Sequence, residues 1–181
     1  VMVNTCVDFV EHIEHLDVIE IGECVRDTIR AGSKSDGTVN LCFTFEQKED
    51  FSAIMNHSGE REYYKQILDD TIFIVEEEII GNNSYSVPQS IDSRRFYYSS
   101  SSCISAIHFL VRDGCLNVLS SLRSTDVDRN ASIDLKFLCH LSTHVVKKFN
   151  WYVNKINLNV RFNCAHIRHD LPVWNKNEEL I

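Results

Sequence analysis

The sequence has little proline, glycine and basic charge, and each shortage excludes a class of protein. Two prolines and six glycines in 181 residues exclude collagen-like and low-complexity chains. Eighteen basic against 26 acidic residues give a formal charge of −8, which argues against a surface devoted to nucleic-acid backbone. No apolar run approaches the roughly 20 residues that span a bilayer. We therefore expect neither a membrane protein nor direct binding of nucleic acid.

The seven cysteines lack any Cys-x-x-Cys pair and are irregularly spaced. An odd number at irregular spacing favours free thiols in a reducing compartment over a disulfide framework, so a cytoplasmic location is expected. Most of them are interpreted as small buried hydrophobes. These are Cys6, Cys24, Cys42, Cys115 and Cys139.

Hydrophobic periodicity predicts a mixture of strands and helices in a single domain over residues 1–181. Alternating apolar residues indicate strands at 38–45, 96–99, 105–111, 115–121 and 156–162. Apolar residues at helical spacing indicate helices at 5–16, 60–68 and 133–149, and 71–80 begins or continues a helix. Arg112-Asp113-Gly114 between two predicted strands is typical of a β-hairpin. The pattern predicts an α+β fold with a mixed or antiparallel sheet.

Three groups of residues could carry chemistry. His140 and His144 lie one helical turn apart, but a zinc site needs further ligands and none is evident, so a surface or capping role is the simpler interpretation. The serine run 99–102 has no Gly-x-Ser-x-Gly turn, which argues against a serine hydrolase. Cys103 directly precedes a predicted strand, with Arg94-Arg95 before it and Arg123 after it. Cationic neighbours favour the nucleophilic thiolate, so Cys103 is a candidate nucleophile.

Several short motifs follow one another in a specific order between about residues 90 and 170. They are Asp92-Ser93-Arg94-Arg95, then Cys103, then the 109–114 sequence FLVRDG, the 122–127 sequence LRSTDV, Asp134 and finally Ala165-His166-Ile167. This order resembles the thymidylate synthase superfamily, and most closely its deoxycytidylate (dCMP) hydroxymethylase branch. The combination is specific, although each motif alone is weak.

The resemblance implies an α+β fold whose mixed sheet packs with helices on one side and against its twin in a homodimer on the other. Cys103 takes the place of the nucleophile that adds to C6 of the pyrimidine. Arg123 and Ser124 take the place of phosphate ligands, and Arg94 and Arg95 match the pair that the twin contributes to the same phosphate. The implied ligand is a pyrimidine deoxynucleoside monophosphate.

Further positions match groups around the base and the sugar. Asp126 matches the residue whose backbone meets the base, and His166 matches a ligand of the deoxyribose hydroxyl. Asp134 stands where thymidylate synthases carry Asn and the cytosine-specific branch carries Asp. His108 stands where Gln is usual. Glu60 resembles the catalytic glutamate, with a plain exposed helix face as an equal alternative and Glu62 as a rival.

The sequence also departs from the family pattern. The segment between the glutamate helix and Asp92 is short and contains no tryptophan, although this region normally meets folate. The nearest match to an N-terminal phosphate-binding arginine is Lys34. The leading hypothesis is a viral-type dCMP hydroxymethyltransferase with 5,10-methylenetetrahydrofolate as one-carbon donor. The alternative is a catalytically degenerate paralogue that binds a pyrimidine nucleotide or serves as a structural subunit of an assembly.

Overall fold

The computed structural model describes residues 4–6, 36–48, 50–56, 61–81, 90–127 and 129–166. These residues form a mixed sheet, two long helices and a short 3-10 helix at Ser52–Asn56. The helices are α1 (Arg61–Ile80) and α2 (Ala131–Lys148). The strands are β1 (Asn4–Cys6), β2 (Asp36–Glu46), β3 (Tyr97–Ser99), β4 (Ile104–Arg112), β5 (Cys115–Leu122), β6 (Thr125–Asp126) and β7 (Lys155–His166).

The strands lie in the order β1-β2-β7-β5-β4-β3, with β6 beside the end of β7. Antiparallel pairs join β2 to β7, β4 to β5 and β3 to β4, whereas β5 and β7 run parallel. A parallel pair needs a long crossover between its strands, and α2 supplies it because it lies between β5 and β7 in the chain. The predicted α+β fold with a mixed sheet is thereby confirmed.

The hairpin between β4 and β5 follows from its two turn residues. Asp113 and Gly114 have φ values of 50° and 73°, which is the left-handed conformation that a two-residue type I′ turn requires. Asp and Gly tolerate this conformation better than most residues. The turn sets the register in which Arg112 pairs with Cys115 and His108 pairs with Leu119.

One face of the sheet forms the core with the two helices. Alternate side chains of the long strands are buried there, for example Phe43, Phe109, Val118 and Leu158. Helix α2 is buried on most of its surface, and the Phe137 ring stacks on Tyr64 of α1 with 4.4 Å between ring centroids. This packing brings the first turns of the two helices together.

The opposite face, here called the outer face, carries the side chains that alternate with the core rows. Asn157 forms a hydrogen-bonded row across it, accepting from Thr44 Oγ1 at 2.8 Å and donating to Asn117 Oδ1 at 3.0 Å. Leu119 lies in the middle of this face and is 45% exposed. Neither of the two described helices therefore covers its centre.

The predictions of local structure are confirmed in part. The segment 71–80 continues the helix predicted at 60–68, which is one of its two expected outcomes, and both belong to α1 because no glycine or proline interrupts them. Other predictions need correction. Thr5 and Cys6 lie in strand β1 rather than in a helix, and 7–16 lie outside the described residues. Of the cysteines expected in the core, Cys139 is buried, whereas Cys42 and Cys115 are only half-buried. In the described ranges, no helix has the length and hydropathy needed to cross a membrane.

Candidate functional site

Several predicted site residues meet where three strands end at one edge of the sheet. Strand β4 is antiparallel to β5, and β5 is parallel to β7, so the first residue of β4 lies near the last residues of β5 and β7. The first turns of α1 and α2 lie at the same edge. We call this group the strand-end cluster, and its members are Cys103, Arg123, Ser124, Asp126, Asp134 and His166.

Cys103 and Arg123 lie on neighbouring loops of this cluster. The backbone N–H of Arg123 donates to the carbonyl oxygen of Cys103 at 2.7 Å, directly beside the pairing of Ile104 with Leu122. Both Cys103 and Arg123 are exposed. The backbone therefore places Cys103, which carries a free thiol, and Arg123 on adjacent exposed loops.

His166, the last residue of β7, joins the next two members. Its Nδ1 lies 3.4 Å from Ser124 Oγ, and its carbonyl oxygen accepts the N–H of Val127 at 2.9 Å. Asp126 pairs with His166 in the β6–β7 ladder and is buried, with its carboxylate 3.9 Å from Arg129 Nε. The Asp126 carbonyl oxygen accepts two N–H groups at the start of α2, which fixes this loop against the helix.

Asp134 is held by two buried hydroxyl groups. Tyr64 Oη donates to Asp134 Oδ1 and Thr125 Oγ1 donates to Asp134 Oδ2, both at 2.8 Å. Asp134 is 4% exposed. The N-cap position of α2 is Asn130 and not Asp134, so Asp134 is not the N-cap residue of this helix. Each carboxylate oxygen can accept two hydrogen bonds.

Tyr64 and Thr125 were not singled out from the sequence. Thr125 lies within the LRSTDV motif, and Tyr64 lies in the segment that resembles the glutamate helix, so both had weak local signals. Their shared role could not be recognised because Tyr64 is 70 residues away from Asp134 in the chain. Only the packing of α1 on α2 brings them together.

Arg94, Arg95 and His108 lie apart from the strand-end cluster. His108 Nε2 is 2.9 Å from the carbonyl oxygen of Arg94, and Phe109 N donates to Phe96 O. His108 is five residues from Cys103 along β4, which corresponds to roughly 16 Å at the usual rise of a strand. The Arg94 backbone therefore lies far along β4 from the strand end that carries Cys103 and Arg123. Its carbonyl lies at the outer face, beside His108.

The catalytic carboxylate predicted at Glu60 lies outside the described residues. Its rival Glu62 is an exposed residue in the first turn of α1. Half-buried Tyr63 of this helix contacts the two residues on either side of Cys103 in the chain. The segment that follows α1, from 82 to 89, is also outside the described residues.

His140 and His144, whose spacing is that of a pair of metal ligands, both lie on α2. Their ring centroids are 5.7 Å apart. Burial lowers the pKa of both His140 and His144. Neighbouring groups, His144 for His140 and Lys148 for His144, lower these pKa values further. In the part of the chain that the structure describes, no group of three or more His, Cys, Asp or Glu residues is arranged to hold a metal ion.

The comparisons with known proteins concern the fold. No protein-family model matches the sequence, and no curated protein matches it. Thymidylate synthase A from Bacillus subtilis superposes with a TM-score of 0.51 at 11% identity, covering 83% of this chain and 79% of that one. The chain has a thymidylate synthase-like fold. Thymidylate synthase from T4 phage is also similar, with a TM-score of 0.46, 11% identity and coverage of 83% and 77%.

Proposed function

We propose that this protein modifies C5 of a pyrimidine deoxynucleoside monophosphate and that dCMP is its substrate, as in a dCMP hydroxymethylase. The observation that supports this most is that Cys103, with a free thiol, and Arg123 are both exposed and lie on loops joined by a 2.7 Å backbone hydrogen bond. Arginine is well suited to a phosphate, and a thiolate is the nucleophile needed for addition to a pyrimidine. A thymidylate synthase-like fold is compatible with this chemistry but does not by itself fix it.

The proposed first step needs only the nucleotide and Cys103. The thiolate sulfur forms a bond to C6, and the electron pair of the C5=C6 double bond moves to C5. The resulting C5 carbanion can take a proton from solvent, and loss of the C5 proton with departure of the thiolate restores the ring. Arg123 and Ser124 would hold the phosphate, and His166 would bind the deoxyribose hydroxyl.

The one-carbon donor implied by the sequence resemblance is 5,10-methylenetetrahydrofolate. A pterin ring needs an apolar or aromatic surface beside the nucleotide. Beside the strand-end cluster, Tyr64 is buried against Phe137, and the hydroxyl of half-buried Tyr63 is hydrogen-bonded to Ser102 and Ile104. These described residues do not fit a folate, so we derive no step through it.

The first experiment follows exchange of the C5 hydrogen of dCMP in D₂O by NMR, without any folate. Addition and release of Cys103 should replace this hydrogen by deuterium, and Cys103→Ser should abolish the exchange. Absence of C5 exchange in the wild-type protein under saturating dCMP would refute the proposed nucleophile.

The preference for cytosine is assigned to Asp134. Its carboxylate only accepts hydrogen bonds, so it suits the C4 amino group of cytosine and opposes the C4 carbonyl of uracil. We expect dCMP to bind more tightly than dUMP by roughly 1–3 kcal/mol. Asp134→Asn should narrow or invert this order, because an amide can donate to the uracil carbonyl. Calorimetric titration of both nucleotides tests this, and equal affinities in wild type and variant would refute it.

We also propose that two copies of this chain pack through their outer faces and complete each other's phosphate site. The roughly 16 Å between His108 and Cys103 along β4 supports this, because Arg94 and Arg95 then serve the twin rather than their own chain. Mixing Cys103→Ala with Arg94→Ala chains should restore roughly a quarter of the wild-type C5 exchange, since half the dimers are hybrids with one intact site. No recovery after confirmed subunit exchange would contradict this arrangement.

A second candidate function is nucleotide binding without C5 chemistry, in a degenerate paralogue or a subunit of an assembly. The absence of tryptophan between α1 and Asp92 favours it, because this is the segment that normally meets folate. Under this alternative, calorimetry detects dCMP binding whereas the C5 hydrogen never exchanges. The two candidates are therefore separated by the same pair of measurements.

A further inference from the structure

Tyr63 contacts both residues that flank Cys103. The backbone N–H of Ile104 donates to Tyr63 Oη at 2.9 Å, and the same hydroxyl donates to Ser102 Oγ at 3.3 Å. A phenol has one proton to donate and can accept in return, so both functions of this hydroxyl are used. Tyr63 thus joins the chain immediately before Cys103 to the chain immediately after it.

The serine run before Cys103 strengthens this arrangement. Ser102 Oγ donates to the carbonyl oxygen of Ile104 at 2.9 Å, and Ser100 Oγ accepts the N–H of Ser102 at 3.1 Å. On the other side, the carbonyl oxygen of Cys103 accepts the N–H of Arg123. The backbone around Cys103 is therefore fixed from three directions, while the cysteine itself remains exposed.

The surroundings of Tyr63 keep its hydroxyl protonated at neutral pH. Burial raises the pKa of the phenol. The two hydrogen bonds lower this pKa, and the nearby Asp134 and Cys103 groups raise it. The ring also packs against Tyr64, with 5.2 Å between centroids. Removing the hydroxyl alone therefore leaves an aromatic contact that can hold the ring in place.

We propose that Tyr63 is a positioning residue for Cys103, whose hydroxyl fixes Ser102 and Ile104 and thereby the direction in which the thiol points. This inference rests on the proposed role of Cys103 as nucleophile. Tyr63 has no assigned contact with the nucleotide, so its hydroxyl should affect the rate of addition to C6 and not the binding of dCMP.

The test compares wild type, Tyr63→Phe and the matched control Tyr152→Phe, which removes the same hydroxyl from a side chain that is 94% exposed. The readouts are kcat and KM of folate-independent C5 exchange of dCMP, with alkylation of Cys103 by iodoacetamide as a check of the thiol. We expect Tyr63→Phe to lower kcat about tenfold, equivalent to about 1.4 kcal/mol, with KM unchanged within about twofold. Tyr152→Phe should behave as the wild type.

A second variant guards against misfolding of Tyr63→Phe. Ser102→Ala removes one partner of the phenol without altering the aromatic packing, and it should lower kcat in the same way but by less. If the wild type exchanges and both variants keep its kcat, or if KM rises instead, the role of Tyr63 is refuted and the proposed function stands. If the wild type itself shows no exchange, the proposed function fails and this inference fails with it.

Discussion

The two hydrogen bonds to the buried carboxylate of Asp134 allow a quantitative prediction about the free energy of unfolding. Tyr64→Phe removes one of its two hydroxyl donors and keeps the ring, which stays stacked on Phe137 at 4.4 Å between centroids. A hydrogen bond to a charged group contributes about 1.5–3 kcal/mol to stability. Tyr64 is 1% exposed, so water cannot readily replace the lost donor. We expect the free energy of unfolding to fall by about 1.5–3 kcal/mol.

The second donor provides a test of coupling. Thr125→Val is nearly isosteric and removes the other hydroxyl bonded to Asp134. After both changes the carboxylate has neither of its two hydroxyl donors, so the double variant should lose more stability than the sum of the single variants. Two independent contacts would instead give additive losses within about 0.5 kcal/mol.

Urea unfolding of the four proteins, followed by circular dichroism, measures these differences. The slope of the free energy with urea should stay constant, since the surface exposed on unfolding is unchanged. Tyr152→Phe is the matched control and should lie within about 0.5 kcal/mol of the wild type, because Tyr152 is almost fully exposed. If Tyr64→Phe is equally harmless, the hydroxyl does not hold Asp134 and the reasoning is refuted.

Three further predictions concern thiols, pH and the outer face. Limited alkylation with peptide mapping should modify exposed Cys103 first among the described cysteines and buried Cys139 last, because burial raises the pKa of the Cys139 thiol well above its ordinary value; equal labelling would contradict this. Burial lowers the pKa of His140 and of His144 below the ordinary 6.5. As the pH falls, the unfolded chain therefore binds protons before the folded chain does, so the stability should be full above about pH 6.5 and should fall below it. Denaturant unfolding at pH 7.5 and 5.5 should show this loss, and His140→Gln should reduce it; a pH-independent stability would overturn the prediction. Leu119→Arg puts a charge in the centre of the outer face and should shift the protein from dimer to monomer in light scattering, whereas an unchanged mass would argue against packing through this face.

The local sequence determined those elements that depend only on a few consecutive residues. Asp113-Gly114 alone accounts for the tight hairpin, because these two residues accept the positive φ values that the turn requires. Alternation predicted the strands around 38–45 and 156–162, and helical spacing predicted α2, with only a few residues of difference at the ends. The placement of Cys103 just before a strand was also correct.

The tertiary structure alone decided which elements are neighbours and what their side chains contact. Strand β7 lies between β2 and β5. A periodic pattern of apolar residues indicates that a strand has a buried face, but it does not indicate which strands pair with it. Asp134 was recognisable as an acid near a helix start, but its partner Tyr64 is 70 residues away in the chain. Tyr63 likewise reaches Ser102 and Ile104 only because α1 packs against the start of β4. Long-range contacts of this kind arise from the joint burial of distant apolar faces, and no local pattern encodes them.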